Sequence, residues 1–174
     1  STKVEIIEKI LKDNEQNFKA QIANDNSEGQ IVLSGRIDDL DKLIIILKEN
    51  MIKSIKLPVS APFHCHLMSK ATQIMSKKLN ELKFTQSKNK LISNVTAKEI
   101  SSTDELKDLL IKQIENRVRW RESVINMINN DIKYFIEIGP GKVLSGLVKR
   151  INKEVKISTI NNQGDIEGLE IWTI

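Results

Sequence analysis

NFKAQIANDNSEGQIVLSG, residues 17–35, decides the fold. Residues 17–24 alternate apolar and polar and read as a strand, and Gln30-Ile31-Val32-Leu33-Ser34 reads as a second. Between them Asn24-Asp25-Asn26-Ser27-Glu28-Gly29 is turn chemistry, so the two strands are expected to pair antiparallel. Working outward, Val4, Ile7, Ile10 and Leu11 recur at helical spacing over 3–13. On the other side Asp38 and Asp39 stand where they can cap a helix to about Asn50, with Leu40, Leu43, Ile44 and Leu47 inward. Residues 52–59 (IKSIKLPV) are expected as a third strand ending at Pro58. The order helix, strand, strand, helix, strand is a βαββαβ unit without its first strand. A sheet one strand short leaves helix 3–13 without a neighbour that should cover its apolar stripe.

This opening unit is therefore an incomplete ferredoxin-like subdomain, 1–60. After Pro62 the pattern changes to that of an α/β region, 61–174. Leu67, Met68, Ala71, Ile74, Met75, Leu79 and Leu82 predict a long amphipathic helix over 65–83. Residues 90–95 predict a short strand. Ser102 and Glu105 have capping-box spacing and open a helix to about Glu115. A second helix covers roughly 120–130. Residues 132–138 (IKYFIEI) are nearly all apolar, the mark of a strand buried on both faces. Gly139-Pro140-Gly141 turns the chain into a helix at 143–151, and a last strand is expected at 155–159. The tail after 160 carries no clear pattern and reads as partly disordered.

Composition narrows the function classes. The 174 residues are 40% hydrophobic and 29% charged, with a formal net charge of +4. The basic residues are scattered, which argues against a nucleic-acid arm and fits either an acidic partner or an ordinary mixed-charge surface. One cysteine excludes a disulfide framework within the chain. No stretch of 18 apolar residues exists to span a membrane. A reducing, cytoplasmic setting fits best. The opening Ser1-Thr2-Lys3 lacks a methionine and reads as a processed, trimmed or excised start.

His64, in Pro58-Val59-Ser60-Ala61-Pro62-Phe63-His64-Cys65, is the leading chemical candidate. Two prolines restrict the backbone before it, and a helix follows. An imidazole fixed at such a junction suits a general base near neutral pH, the alternative being an exposed or capping histidine. Cys65 reads as a small buried residue at the helix start, since adjacent side chains usually diverge and make a poor nucleophile–base pair. His64-Cys65-His66 has no further clustered ligands, so no metal is expected. Gly139-Pro140-Gly141-Lys142 lacks the spacing of a phosphate loop.

Four segments in register carry a resemblance: Ala23–Gly35, LPVSAPFHCHLM at 57–68, NRVRWRESV at 116–124 and IEIGPGKVLSGLVKRI at 136–151. Together they resemble the C-terminal part of the bacterial malonyl-CoA:acyl carrier protein transacylases of type II fatty-acid synthesis, from residue 3 to about 160. The resemblance implies an α/β-hydrolase-like acyltransferase subdomain, of which 61–174 would be the C-terminal portion, with the ferredoxin-like subdomain inserted in it. It implies a serine in a GHSLGE-type elbow that attacks the malonyl thioester, a histidine that takes its proton, and ping-pong transfer to acyl carrier protein through a malonyl-serine ester. The histidine matches His64. The backbone carbonyl that orients its other nitrogen matches Gln113. Phe63 matches a position linked to preference for malonyl over its α-methyl analogue, and Asn24, Asn26 and Gln30 match polar positions facing a cleft. These three could instead stabilise the turn before Gly29. Malonyl-CoA and acyl carrier protein are the implied partners, with no further cofactor, no nucleic acid and no membrane.

The departures are as specific. No GxSxG elbow exists in these 174 residues. Arg36, Arg117, Arg119 and Arg121 do not match the arginine that meets the malonyl carboxylate. The chain is expected to hold a base without its nucleophile, to be inactive alone, and to self-associate, exchange strands or be disordered in 61–174. The missing N-terminal half is a possible partner. A stand-alone ferredoxin-like module that docks acyl carrier protein, through residues such as Lys142, Lys149 and Arg150, is the competing reading. An acyltransferase domain of a larger synthase is a third, disfavoured by Ala61 and the tail after Ile151.

Overall fold

A computed structural model describes residues 2–168; Ser1 and the last part of the tail, 169–174, lie outside the described residues. The chain divides into two compact units, Ser1–Ser123 and Val124–Ile174. This division by packing falls at a different point from the 60/61 boundary that the resemblance implies.

The first unit is built on the hairpin. Strand β1 (Ala20–Ser27) pairs antiparallel with β2 (Gln30–Gly35), from Ala20 opposite Gly35 to Ser27 opposite Gln30. Gly29 closes the turn at φ 75°, a left-handed conformation that glycine adopts without a Cβ penalty. The register slips between Ile22 and Asn24 and again between Asp25 and Ser27, so β1 bulges twice along its polar half. Helices α1 (Val4–Asp13) and α2 (Ile37–Glu49) cover the hairpin. Val4, Ile7 and Ile10 of α1, Phe18, Ile22, and Leu43 and Leu47 of α2 form one buried cluster; of the other residues expected inward, Leu11 and Leu40 pack partly buried against it and Ile44 is half-buried.

Two expected strands are not formed. Residues 52–59 run without a ladder, with Ile55, Leu57 and Val59 exposed. Their alternation is that of a strand, but a strand needs a pairing edge, and the sheet here ends at two strands. At 90–95 only one bridge forms, between Ile92 and Glu99. The chain turns back there: Val95 N–H donates to Ser93 Oγ (3.1 Å), Ala97 N–H to the Ser93 carbonyl (2.8 Å), and Ala97 sits at φ 55°.

The helix expected from 65 begins later. Cys65 is extended (φ −143°, ψ 170°), a single 3₁₀ turn covers His66–Met68, and α3 runs Ser69–Glu81. It packs against α4 (Thr103–Gln113), and its Ile74 and Met75 remain exposed. The α4 N-terminus realises half of the predicted capping box. Ser102 Oγ accepts from Glu105 N–H (3.2 Å), while the Glu105 carboxylate reaches back one residue further, to Ser101 N–H (2.7 Å) and Oγ–H (2.5 Å). Helix α5 (Trp120–Asn129) contains the division point between the units.

The second unit holds β3 (Tyr134–Ile138) parallel to β4 (Lys156–Ile160), joined through α6 (Val143–Ile151), with a short α7 (Gly164–Glu167) after them. Gly139 and Gly141, at φ 136° and 94°, make the sharp exit from β3. Glu137 accepts from Leu144 N–H (3.1 Å) and Ser145 N–H (2.7 Å), so the strand caps the helix that follows it. The expected burial of β3 on both faces is not met: Ile136 and Ile138 are exposed, Ile138 at 77%, because the sheet has one neighbouring strand among the described residues.

The cap of α4 sets a pH dependence. The Ser101 hydroxyl, then the Ser101 N–H, hold the Glu105 carboxyl below its ordinary value. A depressed folded-state value stabilises above the unfolded value near 4.5 and loses that stability as pH falls through the lowered one. Amide protection in the first turn of α4 should therefore drop below about pH 4.5, and Glu105→Gln should show the acid behaviour already at pH 7. Hydrogen-exchange protection factors check both.

Candidate active site

The site is assembled in the first unit from the end of one helix and a strained turn. His64 has φ 58°, in the left-handed region where a residue with a Cβ stores roughly 1–3 kcal/mol. Its Nδ1 lies 2.9 Å from the carbonyl oxygen of Gln113, the last residue of α4. A helix's last four carbonyls have no partner within the helix, so His64 satisfies one of them.

That contact fixes the tautomer. A carbonyl can only accept, so Nδ1 carries a proton, and of the two neutral tautomers the contact selects the one whose lone pair is on Nε2. The Gln113 side-chain Nε2 also approaches His64 Nδ1, at 3.5 Å, and as a donor it would demand the opposite tautomer. The carbonyl contact is shorter by 0.6 Å, and the side-chain amide has a better acceptor in the Asn116 carbonyl at 3.1 Å. The Nδ1–H form wins.

Two cross-strand partners hold the turn from the other side. Gln21 and Ser34 face each other across the hairpin. Gln21 Oε1 accepts from His66 N–H (2.8 Å) and lies 2.6 Å from His66 Nδ1, while Ser34 Oγ–H donates to Cys65 Sγ (3.6 Å). Cys65 is fully buried, and its Sγ–H reaches the Pro62 carbonyl (3.2 Å). It is a packed structural thiol, as its place at the helix start implied. Nothing local in the sequence marks Gln21 or Ser34 for this role; what links them is that they oppose one another in the hairpin register.

Phe63 is 51% exposed beside His64. Asn24 and Asn26 lie half-buried on β1, and Gln30 opens β2. The structure thus brings Gln113 to His64 directly, and ties the hairpin bearing Asn24, Asn26 and Gln30 to the His64 turn through Gln21 and Ser34. Within this unit, residues 117–119 of the 116–124 segment tie several elements together. Val118 N–H donates to the Ala23 carbonyl (2.8 Å), and its carbonyl accepts from Asp25 N–H (2.9 Å). Arg119 N–H donates to the Asn94 carbonyl (2.8 Å), and Arg117 pairs with Glu8 of α1 (2.7 Å). Among the described residues no cluster of three or more His, Cys, Asp or Glu side chains could hold a metal, and no helix is long and apolar enough to cross a membrane.

The malonyl-CoA:acyl carrier protein transacylase of Bacillus subtilis is 38% identical over 161 residues, which is 92% of this chain and 50% of that protein. The crystal structure of the Clostridium perfringens transacylase superposes with a TM-score of 0.91 at 34% identity, over 97% of this chain and 53% of that one. A third neighbour, at 30% identity and TM-score 0.86 over 94% of this chain and 53% of its own, is a malonyl-transacylase in complex with a type II polyketide-synthase acyl-carrier protein. No protein-family model matches the chain. The curated relatives and structural neighbours are thus malonyl-CoA:acyl carrier protein transacylases, acyltransferases of mixed α/β fold, and the chain spans about half the length of each.

The strain at His64 is measurable. His64→Gly loses a hydrogen bond worth about 0.5–1.5 kcal/mol and releases left-handed strain of similar size, so its urea stability should stay within about 1 kcal/mol of the parent. His64→Val loses the bond and adds a β-branched side chain at positive φ, and should cost roughly 2–3 kcal/mol.

Proposed function

We propose that this chain supplies the base of an [acyl-carrier-protein] S-malonyltransferase site, moving malonyl from CoA to acyl carrier protein in fatty-acid synthesis. The 2.9 Å contact between His64 Nδ1 and the Gln113 carbonyl carries the reading. It leaves Nε2 as the basic nitrogen, the state a proton acceptor needs, without a carboxylate partner.

In the reaction, a serine hydroxyl loses its proton to His64 Nε2 as its oxygen attacks the malonyl thioester carbonyl. The carbon–sulfur bond breaks, and the proton passes to the departing CoA thiolate. The malonyl-serine ester is then attacked by the phosphopantetheine thiol of acyl carrier protein, with His64 taking the thiol proton and returning it to the serine. The serine is not in these 174 residues, which contain no GxSxG elbow. The Gln113 carbonyl remains an acceptor throughout, because Nδ1 stays protonated in both ring states.

The exposed ring of Phe63 beside the base would crowd an extra α-methyl group, a discrimination worth about 1–3 kcal/mol. Asn24, Asn26 and Gln30 are assigned to substrate or pantetheine contact, residues 1–60 to the smaller subdomain and 61–174 to the acyltransferase part. The reaction would take place in the cytoplasm.

The test is fusion of this chain behind the N-terminal half of the Bacillus subtilis relative, assayed for malonyl transfer to acyl carrier protein. The fusion should turn over, His64→Ala should lower its kcat by about 100- to 10,000-fold, and the 174-residue chain alone should be silent. Turnover by the chain alone, or an indifferent His64→Ala fusion, would overturn the proposal. Binding of acyl carrier protein with no transfer by the fusion would favour the stand-alone docking module.

A further inference from the structure

Asp25 is the one charged side chain among the described residues in the buried class, at 1% exposure. Both its oxygens are taken by a single guanidinium. Arg121 Nε donates to Oδ1 (3.0 Å) and Oδ2 (3.1 Å), and Nη2 donates to Oδ2 (2.9 Å). The hydrogen bonds to Asp25 hold Arg121 in its charged form more firmly than usual, against the opposing effect of burial. A forked pair of this kind fixes direction as well as distance, which a lysine cannot do.

Its position gives it a use. Asp25 lies on β1 between Asn24 and Asn26, and Arg121 lies in the first turn of α5. Between them the Val118 backbone pairs with Ala23 and Asp25. One short step back along the chain, the Asn116 carbonyl accepts from Gln113 Nε2, and the Gln113 carbonyl meets His64. The ion pair therefore sets where residues 113–121 stand against β1, and through them where the carbonyl stands that orients the ring.

We infer that Arg121, locked to Asp25, is a positioning residue for the base: it registers the Gln113 carbonyl on His64 Nδ1 and thereby holds the ring in its Nδ1–H tautomer. The inference rests on the reading of His64 as the base. It adds a residue 57 positions along the chain whose contribution to the site is indirect.

The chain has two histidines, His64 and His66, so ¹⁵N-histidine NMR of the 174-residue polypeptide reads both tautomers, with His66, anchored on Gln21, as internal reference. Arg121→Lys keeps the charge and loses the fork. It should lower the ratio of Nδ1–H to Nε2–H at His64 roughly 3- to 10-fold, the range one net hydrogen bond supports, and leave His66 unchanged. Arg121→Met should do more; if it fails to fold, the lysine variant decides alone. A folded Arg121→Lys chain with an unchanged His64 ratio, or one in which both histidines shift alike, overturns the inference. Because the readout is a tautomer and not turnover, a fusion that transfers no malonyl while the tautomer still responds would count against the proposed function alone.

Discussion

Everything proposed for this chain depends on one unpaired carbonyl at the end of a helix. α4 must stop somewhere, and its last carbonyls must find donors outside it. The structure brings an imidazole N–H to the Gln113 carbonyl from a turn 49 residues earlier in the chain. One hydrogen bond then does two things: it satisfies a helix terminus and leaves a lone pair on the opposite ring nitrogen. Because the contact is with the main chain, the identity of residue 113 matters less for this bond than where α4 ends. Its side chain serves instead to hold Asn116.

The parts legible in the sequence were those set by local periodicity. The apolar spacing of Val4, Ile7 and Ile10 and of Leu43 and Leu47 became the core of the first unit, and Ser102 became the cap of α4. His64 was legible as a candidate from the prolines and helix around it. The contact with Gln113 came through resemblance, since nothing local links residues 64 and 113. What could not be read was non-local or subtractive. Residues 52–59 have a strand's alternation, but a ladder is a property of two segments, and the second is not beside them. The Asp25–Arg121 pair joins groups 96 positions apart, and no local pattern links them.

The exposed apolar residues have a consistent explanation. Ile136, Ile138, Val143 and Leu144 are exposed around a two-stranded parallel sheet, and parallel sheets are stable chiefly when buried on both faces. Ile55, Leu57 and Val59 are exposed on a segment with a strand's pattern and no partner. Each is surface that apolar neighbours would cover at about 25 cal/mol per Å². The chain spans about half the length of the matched relatives.

The distribution of charge around the site follows from cost. A carboxylate placed against His64 would have to be desolvated, and removing one partner of a buried ion pair destabilises by about 3–5 kcal/mol. A carbonyl orients the ring without that liability. Among the described residues one carboxylate is buried, Asp25, but on β1, where Arg121 closes on it with three hydrogen bonds. The proposed base is thus oriented by a neutral carbonyl, while the charged pair stands where it fixes geometry.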